Sequence, residues 1–383
     1  MKTEPPEWFR NKPSTLSYHL NHPEIDAETY TQIKRIEYGK RLMSMKRIYF
    51  DTKFWVHFCD VVLGNPCSSH HVYIFEKLTK LRLEGVAISP IGYSVFSELL
   101  RQSDPKTRIA TAKAIDALSD GACIQSPIDL LKQEVLHFLA RHWTPRRDIG
   151  PVAHTVWTKV AFVTGDRFLH APSMPLHQRE ALHKSMDDLA WSITLEEIMS
   201  SSGVEEDGDS TEALALFAKE LTTGKQDAAR DSDCYDKLLL EEIAGGLEPC
   251  LEDLGEVMSR LVNASGTRSI VSQEDKMTSG RMLRNLICQL FKAKKIGTEL
   301  PHIHIGSALH AAMRIDKART YKQGDCEDFR HAATALPYYD AFCTEKSLKH
   351  LVCNSPLNFD KLYSTAVLCK EEEVVALIDD LGK

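Results

Sequence analysis

The chain has 383 residues, a formal net charge of −7 from 47 Lys and Arg against 54 Asp and Glu, and 43% hydrophobic residues. This length supports a large core in one elaborated domain or two, and the acidic balance excludes a global basic field, so any contact with nucleic acid must come from local basic patches. Ten cysteines without a Cys-x-x-Cys pair, and a polar N-terminal stretch with no apolar run able to act as a signal or membrane span, lead to the expectation of reduced, mostly buried thiols in a cytoplasmic protein.

Residues 1–46 are read as an arm and a helix, the latter over 27–46, where Tyr30, Ile33, Ile36 and Leu42 recur at helical spacing. The run Arg47-Ile48-Tyr49-Phe50 predicts a strand that stops at an acid, Asp51. An apolar helix follows over 54–63, a Gly-Asn-Pro turn at 64–66, and a second helix to about 83. Strand and helix then recur at 86–89 and 93–100, the helix carrying Glu98. Over 104–141 the spacing predicts helices, with 122–124 extended between them.

From 145 to 299 the pattern is that of a mainly helical insertion, broken by Pro145, Pro151, Pro172 and Pro175 and holding an acidic Ser/Gly loop at 200–210 that is expected to be disordered. Helices are predicted over 235–263 and 281–295, the second ending in Lys292, Lys294 and Lys295, and over 300–322, ending in Arg314, Lys317, Arg319 and Lys322. The acidic stretch that follows opens with Asp325, Glu327 and Asp328. Asp328 is read as the N-cap of a helix that Pro337 closes, and Ala341-Phe342-Cys343-Thr344 as a buried parallel strand. A chain running down that helix and back up the strand brings Asp328 and Glu345 to one edge of a sheet, while Asp340 stays at the strand's other end. A final strand at 350–354 and a helix at 374–381, within a tail at 356–383, complete the expectation.

Three segments carry a resemblance: Ile-Tyr-Phe-Asp51-Thr52, Ile-Ser-Pro followed by Ser-Glu98-Leu-Leu, and Asp328-Phe-Arg-His-Ala-Ala followed by Phe-Cys-Thr344-Glu345. Together they resemble a PIN-domain nuclease over roughly 47–140 and 300–355, within core parts placed at 47–144 and 300–355. The resemblance implies an α/β fold, a doubly wound parallel sheet flanked by helices with 145–299 as an insertion, and metal-dependent hydrolysis of phosphodiester bonds, most often in single-stranded RNA rather than DNA. It also implies that Asp51, Glu98 and Asp328 are metal ligands, that Thr52 and Thr344 orient ligands or the attacking water, and that Glu345 is the fourth acid, ahead of Asp340.

Hard oxygen donors suit Mg²⁺ or Mn²⁺, and carboxylates brought together repel one another unless a cation joins them. Asp325 is a loop acid or a supporting group, and His331, three residues past Asp328, a packed histidine or a substrate contact. Lys53 and Lys346 depart from the family pattern by standing where small polar or acidic residues are common. A lysine there contacts phosphate or replaces part of a metal's charge. Arg319 and Lys322 are further candidates for the substrate strand. His302, His304 and His310 match no zinc spacing, and His70-His71 is placed on the surface. Two other readings stand beside a nuclease: a catalytically degenerate nucleic-acid-binding scaffold, and a toxic or defence effector whose insertion meets a partner protein or a second copy.

Overall fold

The computed structural model describes residues 7–143, 150–165, 173–201, 210–228, 234–264 and 272–383, and over them the chain is a mixed α/β protein in which helix predominates. In chain order the elements are α1 Glu7–Arg10, α2 Leu16–Asn21, α3 Ala27–Met43, β1 Lys46–Phe50, α4 Thr52–Leu63, α5 Ser69–Leu83, β2 Ala87–Ile88, α6 Tyr93–Leu100, α7 Pro105–Ser119, β3 Ala122–Ile124, α8 Pro127–Trp143, β4 Trp157–Lys159, α9 Leu176–Ser192 and α10 Leu195–Met199. They continue with α11 Ser210–Ala228, α12 Tyr235–Leu247, α13 Leu251–Ala264, α14 Gln273–Lys292, α15 Pro301–Ile315, α16 Asp325–Tyr338, β5 Ala341–Cys343, α17 Lys346–Cys353, α18 Phe359–Tyr363, β6 Ala366–Leu368 and α19 Glu371–Leu381. The sheet order is β2-β1-β5-β6; β1 and β2 are parallel, with Lys46 opposite Ala87 and Arg47 opposite Ile88, while β3 and β4 form an antiparallel pair. Among the described residues no helix is long and apolar enough to cross a membrane.

Several elements differ from expectation for identifiable reasons. Helix α16 starts at Asp325, three residues before the expected N-cap: the Lys322 N–H donates to the Asp325 carboxylate at 2.8 Å, and the Asp328 N–H already donates to the Gly324 carbonyl at 2.9 Å. Three acids, Asp325, Glu327 and Asp328, therefore occupy its first turn, where the helix dipole favours them. Residues 350–353 are helical, not a strand, because the buried positions of α17 are Leu348 and Val352, spaced by four. Helix α15 stops at Ile315, since Asp316 turns back to accept the Ala318 N–H at 3.1 Å and the Lys225 ammonium takes up the carbonyls of Asp316 and Arg319. The short strands β4 and β6 were not expected. Of the acidic loop at 200–210, residues 202–209 lie outside the described residues. All ten cysteines are free, but only Cys59, Cys123, Cys326 and Cys343 are buried.

The chain divides into two compact units, Met1–Ser126 with Ala153–Asp207 and Leu368–Lys383, and Pro127–Val152 with Gly208–Val367. In the first, Phe50, Phe54, Trp55 and Phe58 form an enclosed aromatic cluster with ring centroids 5.2–6.5 Å apart. The Trp55 indole N–H donates to the Phe50 carbonyl at 3.0 Å, fixing the turn that holds Asp51.

The core of the second unit joins α8, α12, α13 and α14 through Val135, Leu139, Ile243, Leu254, Leu283 and Ile287. Glu134 is buried at its edge, accepting from the Tyr338 hydroxyl at 2.7 Å and from the His302 N–H at 3.1 Å. Burial pushes its carboxyl up to about 8, against those two bonds. Because the folded value lies above the unfolded one, the stability from holding this proton is complete below the usual carboxylate range and is lost as pH rises toward 8. Unfolding free energy between about pH 5 and pH 8 should therefore fall more steeply in the wild type than in Glu134→Gln, by at most about 1.4 kcal/mol per pH unit for one group. Parallel urea titrations of the two proteins measure the difference, and identical slopes would count against a buried, protonated Glu134.

Candidate active site

Asp51 follows β1 directly and occupies the N-cap position of α4, with φ −72° and ψ 172°. It is 6% exposed, and its carboxylate makes no capping hydrogen bond to the helix it precedes. A capping acid would spend its oxygens on the first amides of the helix; this one holds the position without that role. The next residue, Thr52, donates its hydroxyl to the Glu98 carboxylate, which α6 delivers half-buried. The other Glu98 oxygen lies 3.9 Å from the guanidinium of Arg101, which follows the last residue of α6. Thr52 and Arg101 thus hold Glu98 from two sides. Arg101 was missed in the sequence, although its i,i+3 spacing from Glu98 was the available signal. Lys53, in the first turn of α4, is exposed.

The remaining candidates belong to the second unit. Asp325 is buried with its carboxylate on the Lys322 N–H; Glu327 is buried and accepts from Arg330 at 2.9 Å; Asp328 is half-buried on the same turn. His331 is 2% exposed, an enclosed histidine rather than a surface one. Thr344, just past β5, is fully buried, and its hydroxyl has no hydrogen-bond partner among the described residues. Glu345 is exposed at the N-cap position of α17, does not cap it, and accepts from the Ser347 hydroxyl; Lys346 beside it is exposed. Asp340, half-buried ahead of β5, offers its backbone carbonyl to the Ala366 N–H at 3.1 Å.

The basic residues before this motif are largely committed elsewhere. Arg314 is paired with Glu242 at 2.7 Å and Glu241 at 2.8 Å, and Lys294 with Asp236 at 2.7 Å. Arg319 is half-buried with its carbonyl on Lys225, whereas the Lys322 side chain is exposed. The three histidines of α15 serve separate partners: His304 and His310 each meet a tyrosine hydroxyl at 3.1 Å, Tyr363 and Tyr321 in turn, and the His302 backbone serves Glu134. Burial lowers all three, His302 and His304 to about 4, so they are neutral near pH 7. His71 is not on the surface: it is buried, with Nε2 2.7 Å from a Glu371 carboxylate oxygen.

The donors at the end of β1 are hard carboxylate oxygens. Among the described residues no three His, Cys, Asp or Glu side chains are grouped to hold a metal ion. Two carboxylates completed by water and phosphate oxygens are a usual setting for Mg²⁺, which gives up its water reluctantly, so Asp51 and Glu98 fit an ion of that kind and not one needing a closed protein cage. Compared with protein-family models, curated proteins and solved structures, the chain matches none.

Proposed function

We propose that the chain is a PIN-like, divalent-metal-dependent endonuclease that hydrolyses phosphodiester bonds in single-stranded RNA. One observation carries this reading: Asp51 stands at the carboxyl end of β1 without capping α4, and the adjacent Thr52 hydroxyl holds Glu98. Ligands of parallel α/β sheets gather at that end of the strands. Asp51 and Glu98 would hold Mg²⁺ or Mn²⁺. When bound, the ion would lower the pKa of a water and offset charge on the phosphate. Thr52 keeps the Glu98 carboxylate in one orientation, Arg101 offsets its charge, and Lys53 contributes a cation for the phosphate backbone.

The test is cleavage of single-stranded RNA by the purified chain with Mn²⁺ or Mg²⁺. Activity should fall to background in Asp51→Asn and Glu98→Gln, while Thr52→Val should weaken Mn²⁺ binding roughly 10- to 100-fold in calorimetry. A wild-type protein that cuts neither RNA nor single-stranded DNA, or an Asp51→Asn protein that cuts normally, would end the proposal. The absence of a three-donor group among the described residues favours one second reading, a catalytically degenerate module that binds nucleic acid without metal. Metal titration separates the two, since such a module binds RNA equally with and without Mn²⁺.

A further inference from the structure

A cavity of about 240 Å³ in the first unit is lined by Lys53, Phe54 and His57 of α4 and by Lys370, Glu371 and Glu372 at the start of α19. Lys53 and His57 are four residues apart and so share one face of α4. Lys370 joins them because the last segment of the first unit packs α19 against α5. Neither Lys53 nor Lys370 has an ion-pair partner among the described residues, in contrast to Arg314 and Lys294.

The acids nearby are mostly occupied. Glu371 accepts from the Ser68 hydroxyl at 3.1 Å and lies 2.7 Å from His71 and 3.5 Å from His70, so its charge is directed toward α5. Glu373 accepts the backbone N–H groups of Cys369 and Lys370 at 2.8 and 3.2 Å. Glu372 is the remaining acid in the lining, and it is exposed. The His57 ring stacks on His71 at 4.0 Å with 14° between planes. Burial first, and then His71, lower its pKa, which leaves a neutral imidazole with a ring N–H to donate. Two ammonium groups without an ion-pair partner among the described residues, that of Lys53 lying 5.7 Å over the Phe54 ring, and one N–H donor are the chemistry of a phosphate site. The volume lies below the roughly 300–1,000 Å³ of most small-molecule pockets and suits one phosphate with its water rather than a base and sugar as well.

We propose that this cavity binds a phosphate group, with Lys53 and Lys370 supplying charge and His57 a hydrogen bond, and that the group belongs to a single-stranded nucleic acid. Only the naming of the strand rests on the nuclease reading; a free phosphate has the same chemistry. The site begins two residues past Asp51 in the chain, in the first turn of α4.

The experiment is a titration of the full chain, in EDTA, with 5′-phosphorylated RNA, with 5′-hydroxyl RNA and with inorganic phosphate, comparing wild type with K53Q/K370Q. The double variant should bind RNA at least tenfold more weakly, with a salt dependence shallower by about 0.7 for each single-strand phosphate that is no longer neutralised. Inorganic phosphate should compete with RNA in the wild type and not in the variant, and K53R/K370R should restore binding, which a folding defect would not allow. Loss confined to inorganic phosphate keeps the site and removes the strand as its source. Equal affinities and salt slopes in both proteins, or no binding of any probe by the wild type, overturn the proposal. Without metal no cleavage is read, so the outcome is independent of the Asp51→Asn test.

Discussion

Asp188→Ala is expected to destabilise the first unit by about 3 kcal/mol and to open residues 11–26 to limited proteolysis. The Asp188 carboxylate accepts from Thr15 at 2.7 Å, from Tyr30 at 2.7 Å and from Lys34 at 2.7 Å, and lies 2.8 Å from His19 Nε2. Four side chains of the N-terminal segment thus converge on one acid of α9. The same helix holds that segment at three further points: Glu180 accepts the Ala27 N–H at 2.6 Å, the buried Lys184 donates to the carbonyls of His22 and Ile25 at 2.9 Å, and Asp187 pairs with Lys34 at 2.8 Å.

Truncating Asp188 removes the acceptor of the buried His19 and of the half-buried Thr15 and Tyr30, while Lys34 keeps Asp187, and donors left without a partner cost more than the bonds themselves contribute. Burial alone would raise its carboxyl, but bonds from Lys34, His19, Tyr30 and Thr15 hold it at about 2. The folded value lies below the unfolded one, so this stabilisation is complete above the usual carboxylate range and is lost as pH falls toward 2. An unchanged urea midpoint and an unchanged digestion pattern would mean that the other contacts of α9 hold the segment without Asp188.

Gly280→Ala should cost about 3 kcal/mol, and Gly255→Ala a similar amount. Helices α13 and α14 cross so closely that a Cβ on Gly280 would fall within the Leu251 carbonyl and one on Gly255 within the Lys276 carbonyl. The obstacle in both cases is backbone, which cannot rotate aside. The helices must part, and their separation loosens Leu254, Val257, Leu283 and Ile287 in the core of the second unit. Because one displacement relieves both clashes, the double variant should lose less than the sum of the two. Gly245, on α12, faces open space, and there alanine should stabilise by about 0.5–1 kcal/mol through helix propensity. Urea midpoints of the three variants test the contrast, and a Gly280→Ala protein as stable as the wild type would show that the helices separate without penalty.

The turn holding Asp51 was readable in the sequence because apolar Ile48, Tyr49 and Phe50 end abruptly at an acid and an aromatic run follows. Helix α6 was readable for a similar reason, its apolar face being continuous over eight residues. What escaped depends on partners far along the chain. Arg314 stood in the sequence only as one of the cations ending a predicted helix, its partners Glu241 and Glu242 lying on α12, and the end of α15 depends on Lys225, 91 residues away from Asp316. The Gly255 and Gly280 contacts need the crossing of two helices to be known. The misreading of α17 was local: Leu351-Val352-Cys353 has the composition of a strand, and only burial at Leu348 and Val352 shows the helical period. Of the candidate site, the sequence showed the acids and their order. It held no sign of Lys370 or His57, because nothing local ties the start of α19 to α4.

The return of α19 to the first unit sets an order of events during synthesis. His71 and Glu371, joined at 2.7 Å, are 300 residues apart, and the whole second unit is translated between them. At roughly 5–20 residues per second, α5 waits some tens of seconds on the ribosome before the helix that covers it is made. The entropy of closing so long a loop rises only slowly with its length, so the delay is kinetic rather than thermodynamic. Through that interval the exposed face of α5 is a place for chaperones to act, and the Lys370 side of the cavity is completed only after the second unit has been made.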